Sequence, residues 1–342
     1  MKANISLAAA TAFCFFAIAE GVIPAVSAAL PQILVEYWIP AILTLWFLFC
    51  ISATALLLMF HQAPVFKADR RRFLGASTTA ACSVPAAILG AGVINRKDFL
   101  INEVDIRFPN LPTDLQGLRL LQISDIHMGP FFSRNDLVRV VDACNGLRAD
   151  LAFITGDLIT TVKDPLDDCI FELSKLKSPT GIWGCMGNHE LYAKVQRYTK
   201  ERAAAFGMDF LRYEGRTLRF GKSKLNLVGV DFENDGTYLR AVDGLIDPQA
   251  FNLLLAHTPE VFPTANKKGF QLTLSGHTHG GQINLQLAGA NFNIVDLATP
   301  YTKGLYWRNN SAIYVNSGLG TIGIPMRIGA PPEITVIRLC NS

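Results

Sequence analysis

The sequence predicts an α/β domain built as two packed sheets and preceded by two or three hydrophobic helices. Three observations carry that class. Hydrophobic residues make up 50% of the 342-residue chain against 17% charged, and the apolar excess lies ahead of Arg96. Beyond Phe99 short apolar runs alternate with amphipathic ones, and the first of them read strand, helix, strand within about 40 residues, a parallel crossover unit. The chain closes on "SAIYVNSGLG" and "EITVIRL", whose short connections read as antiparallel strands.

The elements follow in chain order. From Ile5 to Leu30 the chain is nearly all apolar, broken by Glu20 and Pro24, and from Tyr37 to Phe66 it carries no acidic or basic residue except the titratable His61. Each run exceeds the roughly 20 residues that cross a hydrocarbon core as a helix, so helices are expected over 5–30 and 38–60. A third stretch, 73–94, is uncharged, rich in Ala, Gly and Thr, and interrupted by Pro85; it is read as spanning too. Lys67, Arg70, Arg71 and Arg72 place the loop before it in the cytoplasm by the positive-inside tendency. The expectation is a multi-pass protein of the cytoplasmic membrane, with a membrane region over 1–98 and a soluble domain over 99–342 on the outer side. Glu20 within the first segment would mark a conduit, but three spans with so few polar residues make a poor one.

In the soluble part "LRLLQISD" reads as a buried strand, "SRNDLVRVVDACNGL" as a helix capped by Ser133, and "DLAFITGD" as a second strand. "GIWGCMGNHE", "KLNLVGVD", "FNLLLAH" and "FQLTLSGH" add strands, with helical patterns such as "AKVQRYTKERAAAF" between some of them. A net charge of +3 without a basic tract gives no reason to expect a nucleic-acid partner. Seven cysteines without a CxxC pair or finger-like spacing argue against a disulfide framework.

The polar residues that bear chemistry fall where apolar strands run out. "QISDIHMG" puts Asp125 and His127 just past its strand, "FITGDL" ends on Asp157, and "CMGNHE" on Asn188, His189 and Glu190. "LLLAHTPE" ends on His257, and "LSGHTHGG" on His277 and His279. Layered α/β proteins bind ligands beyond the carboxyl ends of their strands. Of six histidines five occupy these turns, leaving His61 as an interface or helix-packing residue. Carboxylate, imidazole and amide oxygen form a borderline-hard ligand set, suited to Mn, Fe or Zn.

The ordered set D-x-H, GD, GNHE, H and GHxH resembles the signature of the calcineurin-like metallophosphoesterases, over Leu118 to Leu339. "GHTHGGQ" and "NSGLGTIGIPMRIGAPPEI" are similar to the bacterial membrane-associated branch. That branch includes proteins with a twin-arginine leader, which "RRRFLGA" resembles, and others that hydrolyse UDP-2,3-diacylglucosamine. Two extra hydrophobic segments ahead of the leader-like one depart from the pattern.

The resemblance implies a four-layer α/β/β/α sandwich and two divalent cations. Asp125, His127 and His279 would hold one ion, Asn188, His257 and His277 the other, and Asp157 would bridge them. Asp125 and His189 would be catalytic, His189 as a non-ligand that protonates the leaving oxygen or stabilises the transition state. Glu190 is expected to orient an imidazole, and Arg327 in "GIPMRIG" to contact a substrate phosphate. The activity implied is hydrolysis of a phosphodiester or pyrophosphate; a non-catalytic scaffold would have lost ligands, and none is missing. The membrane region points to an envelope or lipid-linked substrate. The run "QLAGANFNIVDLATPYTKGLYW" reads first as ordinary core strand and second as apolar surface for an acyl chain.

Overall fold

The computed structural model describes residues 31–61, 70–233, 239–287 and 290–342, so the helix expected over 5–30 lies outside the described residues. The chain divides into two compact units, Met1–Asn95 with Ile322–Ile328, and Arg96–Thr321 with Gly329–Ser342.

In the first unit α1 (Ile39–His61) continues from a π-helical turn over Leu34–Trp38 and packs on α2 (Arg70–Ile94). Among the described residues one helix, Leu34–Leu56, is long and apolar enough to cross a membrane. Its side chains Ile42, Phe47 and Ile51 are 54%, 51% and 51% exposed. The stretch expected to span at 73–94 is helical, but it opens on three arginines and is diluted by Ala, Gly, Ser and Thr. It does not reach the hydropathy of a span, so the multi-pass arrangement is not shown. The last turn of α2 binds Ile322–Ile328: Arg327 N–H donates to the Gly92 carbonyl at 3.0 Å. A Cβ at Gly92 would fall 2.7 Å from Met326 Cγ. That close fit accompanies the grouping of this C-terminal segment with the first unit.

The second unit holds two six-stranded sheets. One contains β1 (Leu100–Phe108), β2 (Arg119–Ile123), β3 (Leu151–Thr155), β4 (Ile182–Cys185), β5 (Met208–Phe210) and the C-terminal β14 (Glu333–Asn341), in the order β1-β14-β2-β3-β4-β5. The other contains β6 (Glu214–Phe220), β7 (Ser223–Gly229), β8 (Phe251–Leu255), β9 (Leu272–Ser275), β12 (Gly304–Arg308) and β13 (Ser311–Val315), in the order β12-β13-β9-β8-β7-β6. β10 (Asn284–Leu287) and β11 (Ala290–Asn293) pair only with each other, as a hairpin. Strands β2 to β5 run parallel, as do β7, β8, β9 and β13.

Alternation along β3 sorts the core. Phe153 packs with Leu120, Leu227, Leu253 and Leu274, joining the two sheets. Ala152 and Ile154 turn the other way, onto α3 (Arg134–Gly146) and α4 (Leu166–Leu173) through Leu137 and Ile170. Val228 and Leu254 cover the far face of the second sheet with Ala265. Ser133 caps α3 by a reciprocal pair with Asp136, an arrangement worth about 1 kcal/mol.

The closing strands each have an antiparallel neighbour, as expected, β13 beside β12 and β14 beside β2. They lie in different sheets, and each also has a parallel neighbour, β13 with β9 and β14 with β1, because residues 316–332 carry the chain from one sheet to the other. Of the run after the GHTH turn, Gly304–Trp307 lies in β12, with Leu305 packed against the core between the sheets, as the core-strand reading expects. The part before it departs from that reading: it forms the β10–β11 hairpin and a short turn, Ile294–Leu297, and Phe292 on β11 and Ile294 and Leu297 on the turn are 58%, 77% and 88% exposed.

Candidate metal centre

Both sheets present the same edge to one cluster. Asp125 and His127 follow β2, Asp157 follows β3, and Asn188 opens α5 (Asn188–Tyr192) after β4. His257 follows β8, and His277 and His279 follow β9. Each turn must reverse the chain while aiming a side chain inward, and the backbone shows it. Asp125, His127, Asp157, His277 and His279 all have positive φ, at 49°, 45°, 54°, 74° and 52°. The left-handed region costs an L-residue about 1–2 kcal/mol, so five of the seven expected ligands sit in backbone that the surrounding structure must hold in place. Neighbouring turns hold one another: Asp125 N–H donates to Gly156 O at 3.1 Å, and His127 N–H to Asp157 O at 3.0 Å.

Glycines make room at two of these turns. Gly156 has φ +87°, and a Cβ there would lie 2.7 Å from His257 Nδ1. At Gly276 a Cβ would stand 2.2 Å from Asp125 Oδ2. The G of each GD and GH pair is therefore the space into which a ligand side chain fits.

The side chains form three overlapping groups able to hold a cation: Asp125, His127 and His279; His127, Asp157 and His189; and Asp157, His257 and His277. His279 Nε2 faces His127 Nε2 at 3.2 Å and Asp125 Oδ1 at 3.4 Å. On the other side His257 Nε2 lies 3.2 Å from each of His277 Nδ1, Asn188 Oδ1 and Asp157 Oδ2. Asp157 Oδ2 is also 3.5 Å from His127 Nε2, so this carboxylate stands between the two halves.

The imidazoles are set by their other nitrogens. His257 Nδ1 donates to Thr155 O at 2.6 Å, and His189 Nδ1 to Thr160 O at 2.7 Å, while His127 Nδ1 meets Thr160 Oγ1 at 3.0 Å. Donation from Nδ1 leaves Nε2 with its lone pair toward the cluster. Glu190 was expected to orient one of these rings and does not. Its carboxylate accepts from the backbone N–H groups of Asp157 at 2.9 Å, Leu158 at 2.8 Å and Gly187 at 2.8 Å, tying the GD turn to the GN turn. Buried N–H donors left by two sharp turns need an acceptor more than a ring does.

Electrostatics describe a site made for positive charge. Burial, reinforced by Asp157, pushes the Asp125 carboxyl up to about 6 despite His257. Burial and Asp157 likewise push Glu190 up to about 7. Burial works against charge at Asp157 and His257 too, but there their mutual attraction wins. The facing imidazoles hold Asp157 far below the usual carboxylate range, and Asp157 and Asp125 raise His257 to about 10. Burial beside His257 drives His277 down to about 4. His257 Nε2 thus lies between two carboxylates, 3.2 Å from Asp157 Oδ2 and 3.9 Å from Asp125 Oδ1, an arrangement that a divalent cation fits. The two imidazole nitrogen pairs at 3.2 Å, His127 with His279 and His257 with His277, make the same demand. Oxygen and imidazole donors in this mixture match two divalent ions.

Several contributors were not legible as site residues. Thr155 and Thr160 orient imidazoles, and the "SGLG" segment grips the Asp125 turn through Leu319 N–H to Ser124 O at 3.0 Å and Gly320 N–H to Asp125 O at 2.7 Å. Phe232 lies 5.6 Å from the His277 ring and Tyr192 5.8 Å from that of His189. A glycine-rich segment before an apolar strand was the only signal for the first, and nothing marked the aromatics. Arg327 is buried in the helical unit, outside the unit that holds this cluster.

Such a site defines a metal-dependent phosphoester hydrolase, and the relationships of the chain agree. Residues 118–281 match the calcineurin-like phosphoesterase model. The chain is 31% identical over 291 residues to the uncharacterized metallophosphoesterase YkuE of Bacillus subtilis, covering 80% of this chain and 98% of that one. It is 31% identical over 281 residues to the zebrafish "Transmembrane protein with metallophosphoesterase domain", covering 77% of this chain and 62% of the other. An uncharacterized metallophosphoesterase of Campylobacter jejuni is 30% identical over 251 residues, 70% of this chain and 63% of its own. The chain thus spans nearly all of the first relative and about three-fifths of the other two. It belongs to the calcineurin-like phosphoesterase family and is a metallophosphoesterase.

Proposed function

We propose that this chain is a membrane-anchored, dinuclear metal-dependent phosphodiesterase or pyrophosphatase acting on an envelope or lipid-linked substrate. The observation that carries the dinuclear reading is Asp157, whose Oδ2 lies 3.2 Å from His257 Nε2 and 3.5 Å from His127 Nε2. In this reading Asp125, His127 and His279 hold one ion, Asn188, His257 and His277 the other, and Asp157 both. Bound there, two divalent cations, Mn, Fe or Zn, supply a water activated for in-line attack and neutralise charge on the phosphoryl oxygens.

The chain's own part is to aim and to protonate. His189 N–H on Asp157 Oδ1 at 2.9 Å fixes the ring beside the cluster. With Nδ1 committed to Thr160 O, the imidazolium form donates from Nε2 to the leaving oxygen. Arg327 as a phosphate contact predicts a raised KM for Arg327→Ala; an unchanged KM removes it from the site. Anchoring is supported by the exposed apolar helix Leu34–Leu56 and by a relative named as a transmembrane protein.

The discriminating experiment presents manganese-loaded protein with UDP-2,3-diacylglucosamine and with a generic phosphodiester, chelator serving as control. Release of UMP assigns the pyrophosphatase activity and puts the catalytic domain on the cytoplasmic face. Cleavage of the generic diester alone supports an external phosphodiesterase. Neither reaction, with ions bound, would leave the non-catalytic scaffold.

A further inference from the structure

A buried carboxylate outside the ligand set lies one peptide away from His189. Asp164 stands just ahead of α4, and its Oδ2 accepts from the backbone N–H groups of Thr160 at 2.9 Å and Thr161 at 2.7 Å. Its Oδ1 lies against Gly129, where a Cβ would fall 2.9 Å away, so the group is wedged between the turns that follow β2 and β3. The Thr161 N–H belongs to the same peptide unit as the Thr160 carbonyl, and that carbonyl accepts from His189 Nδ1 at 2.7 Å. A peptide unit is planar, so the carboxylate that fixes its N–H also fixes the direction of its C=O. An amide whose N–H is taken by a carboxylate is polarised, and its oxygen becomes the stronger acceptor.

The same short loop serves a second ring by a different route. Thr160 Oγ1 meets His127 Nδ1 at 3.0 Å, and the His127 and His189 rings stand edge to face with centroids 4.8 Å apart. His127 is therefore set by a hydroxyl and His189 by a peptide. Thr160 and Thr161 lie past the end of β3, where a side-chain acceptor takes the place that a neighbouring strand has within the sheet. An imidazole pinned at one nitrogen presents the other in a fixed direction, so the aim of His189 Nε2 depends on how firmly this peptide is held.

We propose that Asp164 is a positioning residue for the general acid: acting through the Thr160–Thr161 peptide, it holds the His189 ring so that Nε2 meets the leaving oxygen. The inference rests on the phosphodiesterase reading, with His189 as the acid, and adds the group that aims it. Protonation counts for more as the oxygen that must leave becomes more basic. A p-nitrophenolate departs readily without a proton and a phenolate less so. Loss of Asp164 therefore shows in the leaving-group dependence of kcat, which a merely loosened fold would not change.

The test uses the full chain, loaded with manganese and held in amphipol, and compares kcat on bis(p-nitrophenyl) phosphate with kcat on diphenyl phosphate. Asp164→Ala should lower kcat on diphenyl phosphate by about 10- to 100-fold, as loss of an outer partner does, and much less on the nitrophenyl diester, with KM close to wild type. Asp164→Asn keeps an oxygen for both N–H groups without the charge and should lose only about three-fold, again chiefly on diphenyl phosphate; it carries the test if the alanine variant does not fold. Thr160→Val takes only the hydroxyl from His127 and should keep the wild-type ratio of the two rates. Equal losses on both diesters in the Asp164 variants, no loss on either, or a Thr160→Val ratio displaced as far as that of Asp164→Ala overturns the proposal while hydrolysis stands. An undisplaced ratio in His189→Gln removes the acid reading, and absence of hydrolysis by the wild-type protein removes the phosphodiesterase reading; either takes this inference with it.

Discussion

Asp157 and His257 meet across the two sheets, carboxylate Oδ2 to imidazole Nε2 at 3.2 Å, one at the end of β3 and the other just past β8. The contact is the point at which the halves of the sandwich share a charge. Replacing Asp157 by Ala should lower kcat by more than about 100-fold, since loss of even an outer partner of a metal ligand costs 10- to 100-fold. Far-UV circular dichroism should stay unchanged. Retained turnover in a folded variant would mean that Asp157 is no bridge.

Glu190→Gln removes the carboxylate that accepts from the N–H groups of Asp157, Leu158 and Gly187. An amide can offer one oxygen to three donors and must turn its own N–H₂ toward the rest. Hydrogen bonds to charged groups are worth about 1.5–3 kcal/mol each. The midpoint of urea unfolding should therefore fall, and manganese affinity should weaken as the two turns lose their tie. An unchanged midpoint would show that the clamp is dispensable.

His189→Gln should reduce kcat by about 100- to 10,000-fold, the range of general acid catalysis, while bound metal, measured by elemental mass spectrometry, stays at the wild-type level. His189 also falls in a group with His127 and Asp157 that could take an ion. Loss of metal in this variant would make it a ligand instead.

Gly276→Ala should impair both metal binding and stability, because its new methyl would stand 2.0 Å from Ser124 Oγ and 2.2 Å from Asp125 Oδ2. Overpacking of this kind costs about 1–3 kcal/mol. Wild-type metal affinity in this variant would contradict the close approach.

A pH effect is expected at the cap of α3. Burial by itself would raise the Asp136 carboxyl above its ordinary 3.8, but Lys97 Nζ at 2.5 Å and the Ser133 side chain and N–H outweigh it and hold the group lower. A carboxyl lowered in the folded state contributes stability at pH values above its unfolded pKa, and that contribution disappears as pH falls through the folded value. Asp136→Asn should therefore cost about 1 kcal/mol at neutral pH and much less in acid. An equal loss in both would assign the effect to packing.

The site was legible because of how its strands are written. The β2, β3, β8 and β9 strands are short apolar runs with at most one or two polar letters, so the polar letters that follow them stand out. The role of Glu190 was not legible, since its partners are backbone N–H groups that no letter records. β1 escaped notice because Glu103, Asp105 and Arg107 alternate along it, and its pairing with β14, including Asp105 to Arg338 at 2.8 Å, joins opposite ends of the chain. Phe292, Ile294 and Leu297 read as core because apolar letters do not tell which side of a turn they face.

The central claim is that the cluster around Asp157 is a dinuclear hydrolytic centre. Its most direct test counts divalent ions per chain by elemental mass spectrometry and follows bis(p-nitrophenyl) phosphate hydrolysis as they are stripped and restored. The account predicts two ions per chain, loss of hydrolysis with chelator and recovery with manganese. Hydrolysis that persists in fully stripped protein, or a folded protein that takes up no ions at all, would contradict it.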